Sequence, residues 1–220
     1  MMDAPSNTLA LADTIVMFDW NGTVVLDADR ARASLNSVLA ARSLGTLNSE
    51  EFSQRFRLPM RRMFRDLGVQ PLDLDEAEAE WNYQMTQTST CLRAGVNAAF
   101  LELSAAGAWL GVVSAASAAA VQFDQRSLSV PSVLDAVDSE VADKVVQLSK
   151  HRDRRNRAFY VGDTAYDMRS ATAAGYIPIG VAGGYSTEDV LWEAGAVHIV
   201  ESLREIISIV SDSADQAESL

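Results

Sequence analysis

The chain has 220 residues, enough for one large domain or for a core domain with a smaller insert. Its hydrophobic fraction of 48% and charged fraction of 22% are those of a globular protein, and no apolar run approaches the ~20 residues of a membrane-spanning helix. A net charge of −12 repels nucleic acid and anionic lipid, which excludes nucleic acid and membrane as default partners.

From the N-terminus, Met1–Asn7 has no cationic segment ahead of an apolar stretch, so no signal peptide is expected and the expected location is cytoplasmic. Thr14–Phe18 is a short apolar run that leads into Asp19-Trp20-Asn21-Gly22-Thr23, and it predicts a buried strand. Asp29–Leu44 predicts a helix with Ala33, Leu35, Val38 and Leu39 as its apolar positions. Asn48 with Glu51 three residues on predicts a capping box and a second helix. Pro59 predicts the start of a third, which runs to Leu67 and stops at Gly68. Asp73–Thr88, with Leu74, Ala77, Trp81 and Met85 at intervals, predicts a fourth.

No strand pattern lies between Asp27 and Leu92, so residues 26–92 read as a helical insert, and residues 1–25 and 93–220 as the core. Apolar runs return at Trp109–Val113, Val133–Val137, Ala158–Val161, Ile177–Val181 and Val197–Val200, with helical stretches between most of them. The expected fold is therefore α/β: a doubly wound, Rossmann-like parallel sheet with an inserted α-helical domain. Ser211–Leu220 is polar and acidic and is expected to fray.

Ligands of open α/β sheets bind beyond the carboxyl ends of the strands. Asp19 follows the first expected strand, Ser114 the second, and Gly162-Asp163 the fourth, with Asp167 four residues on. Three carboxylates at one rim stay ionised together only with a cation. The single cysteine, Cys91, and the widely separated His151 and His198 do not make a soft metal site, so a hard, oxygen-bound ion such as Mg²⁺ is expected. An aspartate so placed can attack phosphorus. Phosphoryl transfer also needs a positive side chain, and of the two lysines, Lys144 and Lys150, Lys144 is the candidate.

Val16–Thr23 resembles the first motif of the haloacid dehalogenase superfamily, Val112-Val113-Ser114 its second, Lys144 its third and Val161–Asp167 its fourth, in the same order. The stretch Ala174–Ala196 is similar to the tail of its phosphoglycolate-phosphatase-like members, and Leu58–Gly68 resembles a helix of their helical cap. The resemblance implies a Mg²⁺-dependent phosphatase of a small phosphorylated metabolite, working through an aspartyl-phosphate. In that reading Asp19 is nucleophile and metal ligand, and the Asn21 carbonyl, Asp163 and Asp167 complete the metal site. Thr23, Ser114 and the Ala115 N–H serve the phosphate, and Lys144 neutralises it. Arg61, flanked by Arg62 and Arg65, can reach a substrate anion from the cap, although the three read first as plain surface arginines.

Asn21 departs from the pattern, because phosphatases of this superfamily usually carry there an aspartate that serves as general acid and base. General acid–base assistance is worth about 10²–10⁴ in rate. Asn21 therefore also fits an impaired member that binds a phosphorylated ligand or a partner, or a phosphotransferase. No lysine lies between Asp27 and Leu92 for Schiff-base chemistry, and dehalogenases do not need the Asp163/Asp167 pair.

Plainer roles compete for several residues. Asp163 and Asp167 also suit a helix N-terminus, Ser114 a helix cap, and Lys144 a solvated helix face. Trp20 either lines the site or packs beneath the cap. Trp81, Met63 and Met85 read as cap core, Cys91 as a small packed hydrophobe, His198 as structural, and Lys150–Arg157 with His151 as a solvated loop.

Overall fold

The structure, a computed structural model, describes residues 10–57 and 59–217. Met1–Asn7, Leu58 and the last three residues, on which parts of the sequence reading fall, lie outside the described residues.

Six parallel strands form one sheet in the order β3-β2-β1-β4-β5-β6. They are β1 (Thr14–Phe18), β2 (Trp109–Val113), β3 (Ala136–Asp138), β4 (Arg157–Gly162), β5 (Ile177–Val181) and β6 (His198–Val200). The strand order reverses between β1 and β4, which opens a crevice at their carboxyl ends.

Strand alternation sends Val16 and Phe18 to one face, where they join Phe100 of α5 (Val96–Ala105), Val121 of α6 (Ala118–Ser127) and Ile206 of α10 (Glu205–Ala217). Ile15 and Met17 face the other side with Leu148 of α7 (Lys144–His151) and Ala171 of α8 (Ala165–Ala173). Helices thus cover both faces, which explains why every residue of β1 is buried.

The helices inserted between β1 and β2 form a cap: α1 (Ala28–Ala41), α2 (Ser49–Arg55), α3 (Met60–Asp66) and α4 (Leu74–Gln84). They share a separate core that includes Leu35, Leu39, Phe52, Met63, Phe64 and Met85, with Trp81 packed against it. The expected capping box is present: the Asn48 side chain accepts from the Glu51 N–H at 2.9 Å, and Glu51 accepts from the Asn48 N–H at 2.8 Å. α1 ends at Ala41, three residues short of the expected limit, where Ser43 turns into the left-handed region at φ 54°. α9 (Glu188–Glu193) completes the α-helices among the described residues, beside two short 3-10 turns at Pro71–Asp73 and Arg152–Arg154.

Four expectations need correction. β3 begins at Ala136 rather than Val133, because the Asp135 carboxylate takes the Leu110 N–H at 2.8 Å just before the ladder starts. Ser211–Ala217 continues α10, whose Ile206 and Val210 are buried, where no regular element was expected; Ser219 and its neighbours at the end lie outside the described residues. His151 is buried rather than solvated: it meets Asp138 at 2.7 Å, and its ring centroid lies 5.1 Å from that of Trp109. Arg154 donates to its other ring nitrogen at 3.1 Å, so the ring proton sits on Nε2 and points at Asp138. Cys91 is exposed, because it is the neighbouring Leu92 that turns inward against the core. No helix among the described residues is long and apolar enough to cross a membrane.

Candidate active site

Asp19 leaves the end of β1 and Asp163 the end of β4, side by side at the crevice. Asp167 arrives from the first turn of α8, where Thr164 caps the helix and forms a capping box with it. Asp167 therefore fills both roles open to it in the sequence: it closes a helix end and its carboxylate joins the crevice. All three aspartates are buried, and each offers a carboxylate oxygen within 4.8 Å of the others.

Lys144, the first residue of α7, reaches in between them. Its Nζ lies 2.9 Å from Asp19 Oδ2 and 2.6 Å from Asp167 Oδ1. Burial works against its charge, but Asp167 and Asp19 more than offset this and hold its pKa above the ordinary lysine value. Asp19 is further held by the Trp20 N–H at 2.7 Å, and Asp167 by the Tyr160 hydroxyl at 3.2 Å. Asp163 receives only neutral donors, the Thr23 hydroxyl at 2.9 Å and the Tyr185 N–H at 2.7 Å.

The positive charge present does not balance the negative. Burial, then Asp167 and Asp19, push Asp163 up to about 8. Asp19 is pushed up to about 6 by burial and by Asp167, against the pull of Lys144. Three crowded oxygens short of positive charge fit a hard divalent cation. The backbone keeps that space open: a Cβ at Gly22 or Gly184 would overlap the Asp163 carboxylate, and Gly22 has a left-handed φ of 75°.

Ser114 is buried at the end of β2, and its hydroxyl accepts from the Ala116 N–H at 3.2 Å. The helix cap is Ser117, not Ser114. Ala115 is exposed, and its N–H has no acceptor among the described residues. Asn21 is half-buried beside Asp19, with its amide nitrogen on Asp27. Arg61 is not brought to the cluster; its guanidinium pairs with Asp75 and Glu78 of α4.

Trp20 is fully buried, and its Nε1 donates to Asp124 at 3.1 Å. The same carboxylate takes Arg30 of the cap bidentately, at 2.5 and 2.8 Å, so one buried group ties α1, α6 and the loop after Asp19 together. Removing one member strands the others away from water, which costs about 3–5 kcal/mol for a buried pair. Asp124→Ala is therefore expected to lose that much in denaturant unfolding; a loss under ~1 kcal/mol would show that the pair holds nothing.

Sequence reasoning missed several groups at the site. Arg93 is buried and donates to the carbonyls of Thr23 at 2.9 Å, Ala182 at 2.7 Å and Gly22 at 2.5 Å, so it braces the loop that carries the motif. Tyr185 stacks on Phe56 at 5.0 Å and so joins the Asp163 loop to the cap. Tyr160 and Asp27 are also buried there. Only Thr164 had a readable signal, its capping spacing with Asp167.

Residues 16–181 match the model of the haloacid dehalogenase-like hydrolase family. No curated protein matches the chain in sequence. Among solved structures, a predicted phosphoglycolate phosphatase of Haemophilus somnus 129pt superposes with a TM-score of 0.78 at 15% identity, over 91% of this chain and 98% of that one. CbbY of Rhodobacter sphaeroides, solved with phosphate, gives a TM-score of 0.72 at 22% identity over 89% and 96%. A variant of that protein, solved with xylulose-(1,5)bisphosphate, gives 0.72 at 21% over the same shares. At these identities the structures speak for the fold alone, and the motif-bearing match over most of the sequence is what assigns it: the chain belongs to the haloacid dehalogenase-like hydrolase family.

Proposed function

We propose that the protein is a Mg²⁺-dependent phosphatase of a small phosphorylated metabolite, with Asp19 as nucleophile. The observation that carries this reading is the buried cluster of Asp19, Asp163 and Asp167 with Lys144 inserted between two of them. The complexes of CbbY with phosphate and a sugar bisphosphate support the substrate class. Mg²⁺ held by Asp19, Asp163, Asp167 and the Asn21 carbonyl would offset the charge of the carboxylates and of the phosphoryl group.

The chain's own residues supply the rest. The Trp20 N–H and Lys144 fix the two oxygens of Asp19. The Ser114 hydroxyl, the free Ala115 N–H and Lys144 receive the phosphoryl oxygens, and Thr23 acts by holding Asp163. A carboxylate oxygen of Asp19 bonds to phosphorus as the bond to the leaving oxygen breaks, and the electron pair goes to that oxygen. Water then releases phosphate and restores Asp19.

The boundaries between core and cap, at residues 25/26 and 92/93, fall at the bridge between Val25 and Leu92, which supports these two crossings as the hinge. Beside Tyr185, Ser53 of the cap and Gly183–Asp189 of the core line an open cleft of about 550 Å³. Arg61 is committed to Asp75, so a direct role on substrate would require that pair to break.

Hydrolysis of a panel of phosphorylated metabolites and an aryl phosphate tests the reading, with Asp19→Asn as the blank. Activity that needs both Mg²⁺ and Asp19 is the expected result. Asn21 favours a second reading, transfer to an acceptor other than water. Product analysis separates the two, since transfer yields a new phosphate ester in place of inorganic phosphate.

A metal test follows from the charge imbalance. With Asp19 at about 6 and Asp163 at about 8, the folded protein holds protons more tightly than the unfolded chain, whose aspartates titrate near 3.8. Cation-free stability therefore falls as pH rises from the unfolded value through the folded ones. A bound cation offsets that loss, so Mg²⁺ should stabilise more at pH 8 than at pH 5. At saturation an increase in Tm of about 5–10 °C is expected at the higher pH. An equal shift at both pH values, or one that survives Asp163→Asn, would contradict the assignment.

A further inference from the structure

The reaction above leaves one buried carboxylate without a task. Asp27 is 1% exposed and stands at the N-cap position of α1, yet its side chain caps nothing in that helix. It turns back to the motif loop instead, where it accepts from the Asn21 side chain, from the Gly22 N–H at 3.1 Å and from the Tyr185 hydroxyl at 3.3 Å. No cation pairs with it among the described residues. Three donors from two loops therefore converge on one carboxylate, next to the loop that carries Asp19.

The consequence falls on Asn21. A carboxylate only accepts, so the amide nitrogen is the atom that faces Asp27. The amide group is planar, and fixing Nδ2 also fixes the direction of Oδ1. That oxygen accepts no hydrogen bond from the described residues, and Asn21 is only half-buried. The motif loop thus offers a half-exposed acceptor with no partner among the described residues, two residues beyond Asp19. An amide oxygen cannot take a proton from water, but it can accept one of water's hydrogen bonds and so aim the oxygen lone pair.

Building on the phosphatase reading, we propose that Asp27 is a positioning residue that holds Asn21 so that its amide oxygen orients the water attacking the aspartyl-phosphate. The step balances without a protein base. The water oxygen bonds to phosphorus, the bond from phosphorus to the Asp19 oxygen breaks, and its electron pair restores the carboxylate. The water proton leaves on the phosphate, as dihydrogen phosphate. Asn21 then serves the second half-reaction, and the first does not depend on the pair.

Pre-steady-state kinetics with p-nitrophenyl phosphate and Mg²⁺ separate the two halves, because nitrophenolate release reports formation of the phosphoenzyme and phosphate release reports its hydrolysis. For Asp27→Ala the expected result is a first step within about 2-fold of wild type and a second step slower by about 10²-fold, so that phosphoenzyme accumulates. Asn21→Ala, which leaves Asp27 in place, should show the same split. Asp27→Asn keeps an acceptor for the Asn21 amide and should recover part of the second step.

Two results would overturn the inference while leaving the phosphatase reading intact. One is a fall of both steps together in folded Asn21→Ala; the other is an unchanged second step in both alanine variants. Wild-type protein that turns over the substrate without ever carrying phosphate on Asp19 would instead remove the phosphatase mechanism, and the inference with it.

Discussion

Asp19→Asn should abolish turnover of every substrate, by about 10⁴-fold or more, while the protein stays folded. The amide is nearly the same size as the carboxylate, and its one oxygen can still accept from either the Trp20 N–H or Lys144, which meet different oxygens of Asp19. What it lacks is a nucleophilic oxygen. The change also removes one negative charge from a crowded buried cluster, so thermal stability in the absence of Mg²⁺ should hold or rise. A variant that kept activity within an order of magnitude would mean that Asp19 does not attack phosphorus.

The second large effect concerns the position where the superfamily's proton-shuttling aspartate is replaced by asparagine. If only the shuttle is missing, a carboxylate there should raise alkyl-phosphate turnover by about 10²–10⁴. The structure refines how to supply it. The Asn21 amide is hydrogen-bonded to Asp27, so Asn21→Asp alone sets two carboxylates against each other in a buried place. Such a pair shares a proton, and the gain should be partial. Asn21→Asp combined with Asp27→Asn swaps the two groups, keeps an amide-to-carboxylate hydrogen bond and puts the ionised group at the half-exposed position 21. The double variant should show the full gain with alkyl phosphates and a smaller one with aryl phosphates, whose leaving groups need no proton. No gain in the double variant would mean that the loop around Asn21 does not aim a carboxylate at the leaving oxygen.

Much of this was legible before the structure. Thr14–Phe18 could be read as a buried strand because a strand covered on both faces has no polar positions to interrupt it. The cap helices were legible through their ends: the Asn48–Glu51 box and the Gly68 stop are local chemistry. The core of the site was legible because Asp19 and Asp163 each follow a strand end, Asp167 lies one helical turn beyond, and the topology brings strand ends together.

What escaped the sequence depends on pairing across distance. Asp27 stands just before a helix and carries no motif of its own; only the folded chain shows it turned toward Asn21 and Tyr185. Arg93 belongs to no sequence motif; only in the fold do three carbonyls from two segments close around it. Cys91 and His151 went wrong in opposite directions for the same reason. Burial at the end of an element is set by which neighbour turns inward, and a single chain does not display that.

The phosphatase mechanism requires Asp19 to carry the phosphoryl group during turnover. The most direct test is an acid quench of the protein turning over an aryl phosphate with Mg²⁺, followed by mass spectrometry of its peptides. One phosphoryl group is expected on the peptide that contains Asp19, lost on treatment with hydroxylamine, as an acyl phosphate should be, and absent from Asp19→Asn. Turnover with the label on another residue, or with no labelled peptide even in the Asp27→Ala variant that should accumulate it, would show that Asp19 does not carry the group.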